Sequence, residues 1–140
     1  MPADEPKAII RRYFAALDTG DRATLDQLIA PDYRFHVAGT PGPLNREGFY
    51  EFAAAFYRAF PDLRHEIEDQ IAEGARVVTR LTARGTHQGD FQGLAPTGRR
   101  AAVDAVNVSR VADGRVVETY VLLDALGLLQ QLGAIPAPAG

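Results

Sequence analysis

The chain has 140 residues, 46% of them hydrophobic and 24% charged, with a formal net charge of −3 at pH 7. That length supports one domain, residues 1–140, burying about two-thirds of its unfolded surface around a core and at most one modest cavity, and the composition is that of an ordinary soluble globule. The absence of cysteine excludes disulfides, thiol nucleophiles and thiolate metal sites, the acidic balance without a basic stripe argues against nucleic acid, and the lack of a ~20-residue apolar run or a signal-peptide pattern leads us to expect no membrane partner and a cytoplasmic location.

Ile9, Ile10, Tyr13, Phe14 and Leu17 recur at helical spacing and predict an amphipathic helix over 5–17, with Asp4 as N-cap and Pro6 tolerated in the first turn. Asp18-Thr19-Gly20-Asp21 stops it, Gly20 supplying the positive φ of a C-cap. A second short helix, 24–29, carries Leu25, Leu28 and Ile29 and closes at Ala30-Pro31. Residues 33–37 read as a strand, with Phe35 and Val37 on one face and Arg34 and His36 on the other. After a loop at 39–43, broken by two glycines and two prolines, a third helix over 46–60 aligns Phe49, Phe52, Ala53, Phe56 and Phe60 and ends at Pro61.

From Leu63 the apolar period changes to two, predicting strands at about 64–72, 76–86, 100–111 and 115–123, with turns at Glu73-Gly74 and Asp113-Gly114. The segment 89–98 is too long and glycine-rich for a tight turn; it either covers a pocket mouth, with Phe91 and Leu94 as its apolar contacts, or bridges two strands across a bulge. In the last strand, alternation sets Val116, Glu118, Tyr120, Leu122 and Asp124 on one face and Val117, Thr119, Val121 and Leu123 on the other. Neither face is polar throughout, so the strand is expected either to be central in its sheet or to set one face on the core and the other against a partner subunit, the second set being where subunits would meet. A short apolar helix, 125–132, follows, and the tail 134–140 is expected to be loosely held. Helices first and antiparallel strands afterwards indicate an α+β domain whose curved sheet wraps helices on one face.

Four stretches in register, Phe60-Pro61-Asp62-Leu63, the run from Gly85-Thr86-His87-Gln88-Gly89 to Pro96-Thr97-Gly98-Arg99, Asp113 to Glu118, and Asp124 to Gly133, resemble the SnoaL-like polyketide cyclase family, within the nuclear-transport-factor-2-like or ketosteroid-isomerase-like superfamily. The resemblance implies a cone-shaped α+β barrel, mostly antiparallel and wrapped around three N-terminal helices with a short C-terminal helix, a deep apolar pocket and a homodimer. It also implies an enzyme without cofactor or metal, in which an acidic residue removes a proton beside a carbonyl and closes a ring by an intramolecular aldol step on an apolar, aromatic or polyketide-like carbonyl compound. The same scaffold hosts hydrolases, dehydratases and binding or dimerisation domains without chemistry, and these readings stay open.

The position matching that acid is Asp124, where flanking leucines would strip hydration and raise proton affinity; the alternative is an N-cap on the closing helix. Tyr13 matches the isomerases' oxyanion-binding tyrosine, and Asn107 the position of their protonated aspartate, so both could donate to one developing enolate oxygen. The isomerases' base falls at Val37, which takes no proton, so ketosteroid isomerisation is not expected. His87 faces inward by alternation and could serve as acid, base or donor. Tyr120, Leu122, His36, Phe35, Val37, Phe56 and Phe91 are the expected substrate contacts, and His65 is expected to be exposed or interfacial. Arg80, Arg84 and Arg110 fall outward, against an Asp-Arg-Asp epoxide-opening site, and the histidines lack metal-ligand spacing.

Overall fold

Apolar residues at helical spacing in the first half and alternating ones in the second produce, in a computed structural model, nine elements among the described residues. In chain order they are α1 (Asp4–Thr19), α2 (Arg22–Leu28), β1 (Ile29–Val37), α3 (Arg46–Ala59), β2 (Arg64–Glu73), β3 (Arg76–Thr86), β4 (Arg100–Ala112), β5 (Arg115–Leu123) and α4 (Ala125–Gln131). The structure describes residues 4–137; the capping side chain expected of Asp4 and the tail residues 138–140 lie outside the described residues.

The strands form one mixed sheet in the order β1-β5-β4-β3-β2, with β1 and β5 parallel and every other pair antiparallel. β1 and β2 are its two edges, so the expected barrel is a curled open sheet that carries α1 and α3 in its concavity. β1 starts at Ile29, before Pro31, instead of at residue 33. An edge strand has one row of unpaired amides, and the missing N–H of Pro31 falls in the stretch where pairing with β5 is interrupted, between Ile29 and Arg34.

Ile10, Tyr13, Tyr33, Phe49, Val77 and Leu81 anchor the main core, and Ala59, Phe60, Phe91, Val103, Leu128 and Leu132 form a second cluster where α4 closes the end of the sheet. Burying one such Leu, Ile or Phe side chain stabilises the fold by about 1.5–3 kcal/mol. The Asp113-Gly114 turn has both residues at positive φ, 52° and 75°, as a two-residue hairpin of this twist requires.

The faces of β5 are the reverse of the alternation reading. Arg110 pairs with Glu118 and Val111 with Val116, which leaves Val117 as an extra residue in β5. One extra residue exchanges the two faces of all that follows. Val116 and Thr119 are consequently both fully buried, Val121 and Leu123 turn inward against the core, and Tyr120 and Leu122 stand 52% and 62% exposed on the outside. Thr119, Val121 and Leu123 therefore cannot form the subunit contact expected of them.

Candidate active site

A cavity of about 130 Å³ lies between the inner sheet face and the helices. Its walls are mainly apolar, drawn from Phe14 and Leu17 of α1, Phe49, Phe52 and Phe56 of α3, Phe35 of β1, and Val121 and Leu123 of β5. Four polar side chains interrupt them: Tyr13, Tyr57, His65 and Asn107. No carboxylate is among the lining residues.

His65 sits on β2 in the inward row shared with Leu63 and Ile67, its ring 5.1 Å from that of Phe14. Its Nδ1 lies 2.7 Å from Oδ1 of Asp18, and its backbone N–H donates to Oδ2 at 2.8 Å. The Tyr57 hydroxyl donates to the same Oδ1 at 2.8 Å. Asp18 belongs to the last turn of α1, so helix and strand hold the pair between them, with both side chains largely covered at 17% and 15% exposure. Burial alone would raise the Asp18 pKa, but the bonds from His65 and Tyr57 outweigh it and hold the carboxyl below its ordinary value. The Tyr57 phenol is pushed up by burial and by its bond to Asp18, and remains protonated. An ionised carboxylate only accepts, so Nδ1 of His65 is the donor in this contact, and in the neutral ring the lone pair is the one on Nε2. This is the arrangement by which a carboxylate fixes the tautomer and orientation of a catalytic imidazole.

Asn107 and Tyr13 also reach the cavity and belong to a second set of buried hydrogen bonds. The Ser109 hydroxyl donates to Asn107 Oδ1 at 2.6 Å and lies 2.9 Å from the Thr119 hydroxyl. The hydroxyls of Tyr13 and Tyr33 lie 3.3 Å apart.

Several expected site residues lie elsewhere. Asp124 is exposed, and its Oδ1 accepts the Gly127 N–H at 2.8 Å as the N-cap of α4. Solvent and that amide meet the carboxylate's needs, in the capping arrangement that was the alternative reading of this residue. His87 is fully buried but absent from the cavity lining; its Nδ1 accepts the Thr97 N–H at 3.1 Å and its ring packs on Phe60, which pins the loop 88–98. His36 stacks on Tyr120 at 4.0 Å and bonds Glu118 at 2.8 Å on the outer face, so His36, Tyr120 and Leu122 do not touch the cavity. Val37 packs on the core without lining the cavity, and Phe91 stands behind Phe56 with ring centres 5.5 Å apart. Phe35 and Phe56 do line it.

The loop carrying Phe91 is held against the end of α3 by Gln88 and Gly89, whose N–H groups both donate to the Ala59 carbonyl. A Cβ on Gly89 would collide with the carbonyl oxygen of Arg58, so only glycine permits this approach.

The reading of the sequence missed His65, Asp18 and Tyr57. Alternation with Leu63 and Ile67 was signal enough to turn His65 inward, whereas Asp18 read as a helix breaker and Tyr57 had no pattern to mark it. Among the described residues no group of three or more His, Asp or Glu is placed to hold a metal ion, and no helix is long and apolar enough to cross a membrane.

The family model described as SnoaL-like polyketide cyclase matches residues 7–132. Aklanonic acid methyl ester cyclase DnrD of Streptomyces peucetius is 30% identical over 94% of this chain and 94% of its own. The crystal structure of wild-type IdmH from Streptomyces antibioticus, a proposed polyketide cyclase, is similar with a TM-score of 0.85 at 39% identity over 91% of this chain and 98% of that one. AclR of Streptomyces galilaeus, a proposed hydroxylase, is similar with a TM-score of 0.88 at 30% identity over 99% of this chain and 87% of that one. A match of this extent, on an open α+β sheet with an apolar hollow, has one consequence: the chain belongs to the SnoaL-like polyketide cyclase family.

Proposed function

We propose that this chain is a cofactor-independent ring-closing enzyme that takes a polyketide-like carbonyl compound into the apolar cavity and moves the proton with His65, held by Asp18. The observation that carries this reading is the Asp18–His65 contact of 2.7 Å beside the cavity, His65 being the only imidazole on its lining. Nε2 takes a proton from the carbon next to a carbonyl. The resulting enolate attacks a second carbonyl of the same molecule, forming one carbon–carbon bond, and the imidazolium returns its proton to the new alkoxide. No atom is gained or lost, and a general base of this kind typically contributes a factor of about 10²–10⁴ in rate. Apolar walls favour the step by excluding water from the enolate.

The test is incubation with aklanonic acid methyl ester, for which the Streptomyces peucetius relative is named, followed by chromatography and mass spectrometry. Ring closure gives a new product of unchanged mass. A product heavier by one oxygen would instead support the chemistry proposed for AclR, and binding without conversion would support a non-catalytic domain.

The homodimer is likewise a proposal, with its contact moved to the outer face of the sheet. There Val78, Val106, Tyr120 and Leu122 are all exposed, and Val106 pairs with Arg80 on one side and Leu122 on the other. Arg80 and Asp104 bring opposite charges beside this apolar patch, so a second copy turned by a two-fold axis can match it.

A further inference from the structure

We propose that Ser109 and Thr119 are positioning residues whose hydroxyls hold the Asn107 amide with its NH2 toward the cavity, so that Asn107 donates a hydrogen bond to a bound carbonyl oxygen. This deepens the reading above and rests on it for the nature of the bound group.

Asn107 is buried on the cavity wall, and its contact with the Ser109 oxygen measures 2.6 Å. That suits O–H···O, whose mode is about 2.7–2.8 Å, and is short for N–H···O at about 2.9–3.0 Å. The amide oxygen therefore faces the serine, and the amide nitrogen, with no partner among the described residues, faces away from it.

The remaining directions follow by counting protons. A serine hydroxyl has one, and Ser109 gives it to Asn107. At the 2.9 Å contact Thr119 must then donate. The polarity runs from Thr119 through Ser109 to Asn107.

Asn107 consequently offers the cavity an N–H donor, and a substrate that meets it carries a carbonyl oxygen at that wall.

Acetophenone is a suitable probe, because a cavity of about 150 Å³ admits benzene and this one is about 130 Å³ with an open side. Difference infrared spectroscopy of acetophenone bound to the intact protein reads the carbonyl stretch, which falls to lower wavenumber when the oxygen accepts a hydrogen bond. The wild type is expected to show this shift and Asn107→Leu to lose it. Ser109→Ala and Thr119→Val should weaken it while binding persists, and Thr119→Ser, which restores the hydroxyl, should recover it. Retention of the full shift in Asn107→Leu, its retention in both Ser109→Ala and Thr119→Val, or failure of the wild type to bind acetophenone would each overturn the proposal. Ring closure plays no part in this readout, so failure of the enzymatic reading appears separately, as a shifted carbonyl without turnover of aklanonic acid methyl ester.

Discussion

A carboxylate inside a protein is either expensive or useful, and Asp18 shows how local bonds decide which. Burial opposes its charge, yet His65 through ring and backbone and Tyr57 through its hydroxyl together hold its pKa below the ordinary value. A depressed folded pKa contributes stability that is fully present above the unfolded value of about 4 and is lost as the pH falls through the lower folded value. Urea denaturation across an acid pH series should therefore show stability falling in that window, and Asp18→Asn should flatten the fall. An unchanged slope in the variant would mean that Asp18 has the same proton affinity folded and unfolded. The same carboxylate fixes the orientation of the His65 ring through Nδ1, which ties stability and proposed chemistry to one pair of residues.

At the scale of elements, α4 illustrates a competition between two uses of one aspartate. A strand running into a seven-residue helix leaves unpaired amides at the helix start, and Asp124 meets the one at Gly127. Asp124→Ala should cost about 0.5–2 kcal/mol in urea denaturation while Asp124→Asn, an equally good cap, should cost little; equal losses would argue against capping. The helices, the four long strands and the turn at Asp113-Gly114 were legible in the sequence because each rests on local periodicity or turn chemistry. The faces of β5 were not, since the bulge at Val117 is a property of its pairing with β4 and leaves no mark in an apolar run. Asp124 followed β5 into error: parity placed it beside Tyr120 and Leu122, which was right, but that face is the outer one. Asp18 and His65 are 47 residues apart, and only the packing of α1 on β2 joins them.

For the molecule as a whole, one curled sheet has two faces with different tasks. Its concave face, with α1 and α3, encloses the cavity; its convex face exposes Val78, Val106, Tyr120 and Leu122. Analytical ultracentrifugation should find a dimer for the wild type and a monomer for Val106→Lys, because a lysine in the middle of that patch leaves a buried charge unpaired. A monomeric wild type would remove the dimer. The central claim is that proton transfer resides in His65 on the cavity wall and not in Asp124 at the start of α4. It is tested most directly by comparing the rate of aklanonic acid methyl ester ring closure by His65→Gln and Asp124→Asn, each checked for native circular dichroism. The account predicts a loss of about 10²–10⁴ for His65→Gln and a rate within a few-fold of wild type for Asp124→Asn; the opposite order would contradict it.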